Sequence, residues 1–144
     1  MRPSGRIILP LLAAVIACSE PLEPRDIAGF YMLDTINGQR LPVVIGPIPE
    51  QTVSVQSGSL TLWEDGTAAT IEQRREVRKN VPSEQTYTAE LRYDLNGDRI
   101  RLGPRTPCPP NALCAELNGV VNGAFVTLQL GQLTYRYRQA SDAP

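Results

Sequence analysis

The sequence predicts an all-β domain: an antiparallel up-and-down meander of about eight or nine strands, closed as a small barrel, with a two-sheet β-sandwich as the alternative. Three observations predict it. Apolar residues alternate with polar ones over short runs, as with Tyr87, Ala89, Leu91 and Tyr93 against Thr86, Thr88, Glu90 and Arg92. That is the period of a strand with one face on a core. Glycine-containing dipeptides separate the runs at Asn37-Gly38, Asp65-Gly66, Asn96-Gly97, Asn122-Gly123 and Gly131-Gln132, which is hairpin-turn chemistry. Successive hairpins make a meander, and closing it removes the bare edges that an open sheet would leave.

Before the first strand the chain has a different character. Arg2 and Arg6 are the only charges ahead of Glu20, and residues 7–17 are apolar apart from Pro10. A basic start, a short apolar run and a small-residue exit form an export signal. The run is too short for the about 20 residues a retained transmembrane helix needs. Val15, Ile16, Ala17 and Cys18 resemble the lipobox of bacterial lipoproteins. The resemblance implies cleavage before Cys18, a diacylglycerol on the Cys18 thiol and acylation of the new amino group. Two or more acyl chains hold a protein stably where one is marginal. Ser19 rather than aspartate follows the cysteine, which in proteobacterial lipoproteins implies passage to the outer membrane. Residues 1–17 are therefore expected to be a signal peptide, 18–26 a lipidated tether and 27–140 the barrel domain. Pro21 and Pro24 make residues 19–25 an extended, solvated connector.

The strands follow in order. Residues 30–36 are the first, turned by Asn37-Gly38 onto a return over 40–44. Residues 43–50 hold too much proline for a central strand and are read as an apolar loop, in which Val43, Val44, Ile45 and Ile48 cap a barrel mouth or present a partner-binding patch. Residues 52–63 extend again, with Ser57-Gly58 placed for a bulge or corner. Residues 67–79 pair with 84–95 across a turn at 80–83. The charged run 71–79 is read as a polar strand projecting into solvent, with a short helix as the alternative, because its i,i+4 neighbours include like charges. Residues 98–103 follow with Ile100 and Leu102 inward. Two more strands, 116–121 and 124–130, precede 133–138, where Leu133, Tyr135 and Tyr137 face inward.

The ordered series Gly29-Phe30-Tyr31-Met32-Leu33, Asn37-Gly38, Leu41-Pro42, Ser57-Gly58-Ser59-Leu60-Thr61-Leu62, Asp65-Gly66-Thr67, Tyr93, Asn96-Gly97-Asp98-Arg99-Ile100, Asn122-Gly123 and Tyr135 resembles the lipocalin-like domain of many small bacterial lipoproteins. It spans nearly the whole mature chain and implies a small up-and-down barrel. Most such proteins have no assigned activity, so the resemblance brings a fold more than a function. The chain departs from the simplest members in its Cys108 and Cys114 loop and in its charged strand over 72–79.

Composition narrows the chemistry. Of 144 residues none is histidine, which removes the commonest general base, the histidine-dependent nucleophile arrangements and the usual zinc and copper ligands. Loss of the signal takes two of the 14 basic residues and none of the 15 acidic ones. The mature domain is then net acidic, which gives no electrostatic case for nucleic acid. With Cys18 lipidated, Cys108 and Cys114 remain, in an oxidising compartment where pairing is expected. Such a loop contributes about 2 kcal/mol on chain-entropy grounds. A redox pair or half a metal site are the alternatives, but five residues intervene rather than two and no second soft pair exists.

Residues 94–98 begin like a calcium loop, yet Arg99 and Arg105 stand where glycine and glutamate are required. They read as a turn. Arg74, Arg75, Arg78 and Lys79 read as a solvated face. Tyr31, Tyr87, Leu91, Tyr93, Tyr135 and Tyr137 are the candidate ligand-lining residues, with plain barrel core as their other reading. No catalytic residue, metal site or cofactor is assigned. The expected function is that of an envelope lipoprotein, membrane-bound through Cys18, that holds a small apolar ligand in or at the mouth of the barrel. The alternative is a filled-core lipoprotein that meets an envelope protein through its outer surface.

Overall fold

Each alternating run becomes a strand because one face has somewhere apolar to go. In the computed structural model of the chain, which describes residues 21–48, 51–106 and 116–141, a short helix α1 (Pro24–Ile27) precedes ten strands. They are β1 (Gly29–Ile36), β2 (Gln39–Arg40), β3 (Val43–Ile48), β4 (Gln51–Leu62), β5 (Thr67–Arg78), β6 (Val81–Asn96), β7 (Arg99–Pro104), β8 (Leu117–Asn122), β9 (Phe125–Leu130) and β10 (Leu133–Gln139). All pairings are antiparallel, in the order β2-β1-β10-β9-β8-β7-β6-β5-β4-β3, and β1 also pairs with β4. That last pairing, Gly29–Met32 against Leu62–Ser59, closes β1 and β4 to β10 into an eight-stranded barrel. A single sheet closed on itself is not a sandwich. No helix among the described residues is long and apolar enough to cross a membrane.

The interior follows the two-residue period. Tyr31, Leu33 and Ile36 of β1, Leu60 and Leu62 of β4, Ile100 and Leu102 of β7, Val126 and Leu128 of β9, and Tyr135 and Tyr137 of β10 are all buried, and among the described residues no polar residue outside the tyrosines is. The barrel has a closed end and an open end. At the closed end α1 lies under the strands, with Ile27 buried. The Tyr31 hydroxyl donates to the Ile27 carbonyl at 2.7 Å and the Tyr93 hydroxyl to the Trp63 carbonyl at 2.7 Å and the Pro24 carbonyl at 3.3 Å. α1 begins with a capping box in which Glu23 and Asp26 satisfy each other's backbone. The connector expected over 19–25 is thus shorter than predicted, since its last residues start a helix that plugs the barrel.

At the open end β3, β4, β5 and β6 outrun the other strands. The barrel wall needs only the last third of β4, Ser59–Leu62; the part before it pairs with β3 and β5 alone. A register shift between Val55 and Ser57 marks the transition, the bulge expected at Ser57-Gly58. A Cβ on Gly58 would lie 2.9 Å from Leu33 Cδ2, so glycine allows β1 to close on β4 there.

Several expectations change. Of the 43–50 stretch, Val43–Ile48 is the edge strand β3, not a loop, and 49–50 lie outside the described residues; as an edge it tolerates Pro47. The return over 40–44 is only the two-residue β2. The β5–β6 turn is Lys79-Asn80, not 80–83, with both residues at positive φ (48° and 65°), a tight type I′ geometry without glycine. Asn96-Gly97 and Asn122-Gly123 turn one residue later than predicted: Gly97 (φ 63°) and Gly123 (φ 57°) are first in their loops, the type II′ position. Of the run over 71–79, residues 71–78 are strand and Lys79 begins the turn, which removes the helix alternative. Cys18, Cys108, Cys114, the signal over 1–17 and the proposed pairing lie outside the described residues.

Gly119 of β8 gives the sharpest packing test. A Cβ there would fall 1.9 Å from the Thr127 carbonyl oxygen on β9, a backbone atom that cannot yield cheaply. Gly119→Ala is expected to destabilise the fold by about 2 kcal/mol or more. Gly46→Ala, with no atom within 4 Å, should be near neutral. Urea denaturation of the two variants side by side checks both.

Candidate functional site

Because β5 and β6 rise above the ends of β7 and β8, the barrel wall has a gap at its open end among the described residues. The gap opens into a cleft of about 490 Å³, lined by Thr70, Glu72 and Arg74 of β5, Tyr87 to Leu91 of β6, Pro104 and Leu117 opposite them, and Leu128, Leu130, Tyr135 and Tyr137 behind. The volume falls in the range of small-ligand sites. Its floor is aliphatic and aromatic, and its rim is charged.

The rim is one connected polar network on the inward face of the β5–β6 extension. Arg74 Nε is ion-paired with Glu72, two residues back on the same face. The Arg74 guanidinium stands 4.5 Å from the Tyr87 ring centre. The Tyr87 hydroxyl donates to Glu76 Oε1 at 2.8 Å, Gln51 Nε2 donates to Glu76 Oε2 at 3.1 Å, and Arg78 donates to Gln51 Oε1 at 3.0 Å. The basic cluster read as one solvated face is therefore split by the strand period: Arg74 and Arg78 join this network, while Arg75 lies on the other face with Ser54.

The candidate ligand-lining residues separate into two sets. Tyr87, Leu91, Tyr135 and Tyr137 meet at the cleft. Tyr31 and Tyr93 lie at the closed end, hydrogen-bonded to α1 and the β4 terminus, and line nothing open. Of the loop residues, Val43 is buried in the core and Ile45 packs against it, whereas Val44 points outward; Ile48 ends β3, and its side chain lies outside the described residues. Leu117, Leu128, Leu130, Thr70 and Pro104 are lining residues that the sequence reading does not single out. Among the described residues no group of three or more acidic or cysteine side chains is placed to hold a metal.

Burial governs the titration of the phenols. Desolvation raises the pKa of Tyr31, Tyr135 and Tyr137 above 10, Tyr137 most strongly of the three, with Glu72 adding to the effect at Tyr135 and Tyr137. Tyr93 is pushed up to about 12, by burial first and then by the nearby negative charge of Asp65. Tyr87 is raised mainly by its hydrogen bond to Glu76. At the β4–β5 turn Asp65 is held low by the hydroxyl and backbone N–H of Thr67. The cleft thus offers neutral phenol hydroxyls, which donate and accept, beside a Glu72–Arg74 pair that cancels its own charge. Such a surface holds a molecule with an apolar body and one polar end.

No family model, curated protein or solved structure matches the chain.

The raised phenols have a direct consequence for stability. A group with a raised folded-state pKa stabilises the fold fully below its unfolded value, near 10 for tyrosine, and that contribution disappears as pH rises through the folded value. Urea midpoints should be level from pH 7 to 9 and fall above pH 10. Phenolate absorbance in the folded chain should appear at higher pH than in the unfolded chain. Separately, Tyr31→Phe should cost about 1 kcal/mol, through the lost bond to Ile27, measured by the same denaturation.

Proposed function

We propose that this chain is a membrane-anchored envelope lipoprotein with a lipocalin-like barrel, which holds a small apolar ligand or apolar group at the open mouth without turning it over. The observation that carries the reading is the cleft: about 490 Å³, with an apolar floor and a polar network on one rim. The likeness to lipocalin-like domains is supported by the closed eight-stranded antiparallel barrel. It is limited by the interior, which the barrel's own side chains fill below the cleft, so holding takes place at the mouth and not in a deep cup.

The anchor rests on Val15, Ile16, Ala17 and Cys18 and on the export signal before them, and Ser19 directs the reading to the outer membrane. α1 begins only six residues after Cys18, so the closed end faces the membrane and the cleft faces away from it. The absence of histidine and the self-neutralised rim favour holding over chemistry.

Two measurements test this. Labelled palmitate should be incorporated into the chain in bacterial cells and should be lost in Cys18→Ser; unlabelled parent protein overturns the anchor. The apolar dye anilinonaphthalene sulfonate should bind the chain lacking residues 1–18 saturably, at one site, and Ala89→Trp, which fills the cleft from its exposed lip, should weaken binding at least tenfold. Dye binding equal in both forms overturns the cleft as the site.

A further inference from the structure

β6 outruns the strand beside it. Leu91–Asn96 pairs with β7, but β7 ends at Pro104 opposite Leu91, and among the described residues no strand lies on that side of residues 81–90. Their other side is paired with β5 without a register break. One bond fixes the direction of the free groups: the Tyr93 N–H donates to the Gly66 carbonyl at 2.9 Å, on the β5 side. Peptide groups alternate in direction along an antiparallel strand. Odd-numbered residues of β6 therefore face β5, and Glu84, Thr86, Thr88 and Glu90 turn both N–H and C=O to the open side. Pro82 falls in the same set, where it has no ladder bond to lose.

This row of backbone donors and acceptors runs along the lip of the cleft, since Thr88, Ala89, Glu90 and Leu91 form one of its walls. Groups spaced as in a strand are matched by another extended backbone, and a cavity beside such an edge takes the alternate side chains of the added strand. A second copy of this edge fits poorly. Pro104 blocks any antiparallel register that carries the copy's hairpin turn past Leu91. The registers that remain set the two Glu84 carboxylates opposite or diagonal to one another, where like charges repel. Glu84 stands cross-strand from Arg75 of β5 but makes no ion pair within 4.0 Å among the described residues, so on its open side it favours a basic side chain from the incoming strand.

We infer that the free edge of β6 and the cleft form one site for an extended peptide. The peptide adds as a strand along residues 84–90, drops a large apolar side chain into the cleft and sets a basic residue against Glu84. The inference rests on the cleft being the place where an apolar group is held.

The test takes the full chain, a random twelve-residue peptide library as probe, and three variants. Ala89→Trp blocks the cleft. Thr86→Pro removes an outward N–H at a position with no ladder bond on that side and outside the cleft lining; circular dichroism checks that it is folded, and Thr88→Pro is a second edge variant for peptide binding alone. Recovered peptides should alternate apolar residues and carry a basic one. Ala89→Trp and Thr86→Pro should each weaken binding at least tenfold, and the Thr86 and Thr88 amides should exchange at least tenfold more slowly in the complex. Thr86→Pro should still bind the apolar dye. The inference is overturned by recovery of no peptide, by peptides that bind the folded edge variant as tightly as the parent, or by Thr86 and Thr88 amides already protected in the free chain, whether by another segment or by a second copy. Dye binding retained in those cases leaves the cleft reading intact; dye binding absent from every form removes both.

Discussion

The whole structure depends on four residue pairs. Gly29–Met32 of β1 meets Leu62–Ser59 of β4, and without that pairing the sheet would be an open ribbon with two long bare edges. Closure demands that β4 bend away from the strands it has followed so far. The bulge between Val55 and Ser57 supplies the bend, and Gly58 lets Leu33 come close enough to be buried. Once closed, every inward side chain from eight strands shares one interior, which is how a chain of this size gathers a core.

The same bend gives the barrel two unlike ends. Below it the interior is filled, and the two phenols there, Tyr31 and Tyr93, spend their hydroxyls on α1 and the β4 terminus. Above it, four strands continue without a facing wall. Their inward positions near the gap cannot all be apolar, because water reaches them, and the sequence places Glu72, Arg74 and Glu76 there with Tyr87 to tie them together. The cleft is the boundary between these regimes. Leu128 and Tyr137 belong to the packed part, and the charged rim belongs to the part in water.

Much of this was legible in the residues themselves. Alternation located nearly every barrel strand, because burial on one face imposes a period of two that little else produces. Ser57-Gly58 announced the bulge to within one residue: the unpaired residue is Gln56, and Gly58 is where β1 comes close to β4. What failed was anything set by where neighbouring strands end. Tyr87 and Ala89 continue the alternation of Leu91 and Tyr93 but are exposed, since among the described residues no strand stands opposite them. Leu117 and Leu130, which the alternation does not single out, line the cleft for the complementary reason. The Lys79-Asn80 turn lacked the glycine that marks its type, and α1 was hidden by prolines, although Glu23 and Asp26 carried the spacing of a capping box.

The pairing of β1 with β10, from Tyr31↔Gln139 to Ile36↔Tyr135, has a consequence in time as well as space. It joins the first long strand to be synthesised with the last. Each hairpin in between can form locally and early, but β1 has no permanent partner on that side until the final strand arrives. Contacts so distant along the chain make for slow folding. The nascent polypeptide therefore passes through a period as an unclosed ribbon, when a holdase or fast release into a dilute compartment decides whether it matures or aggregates.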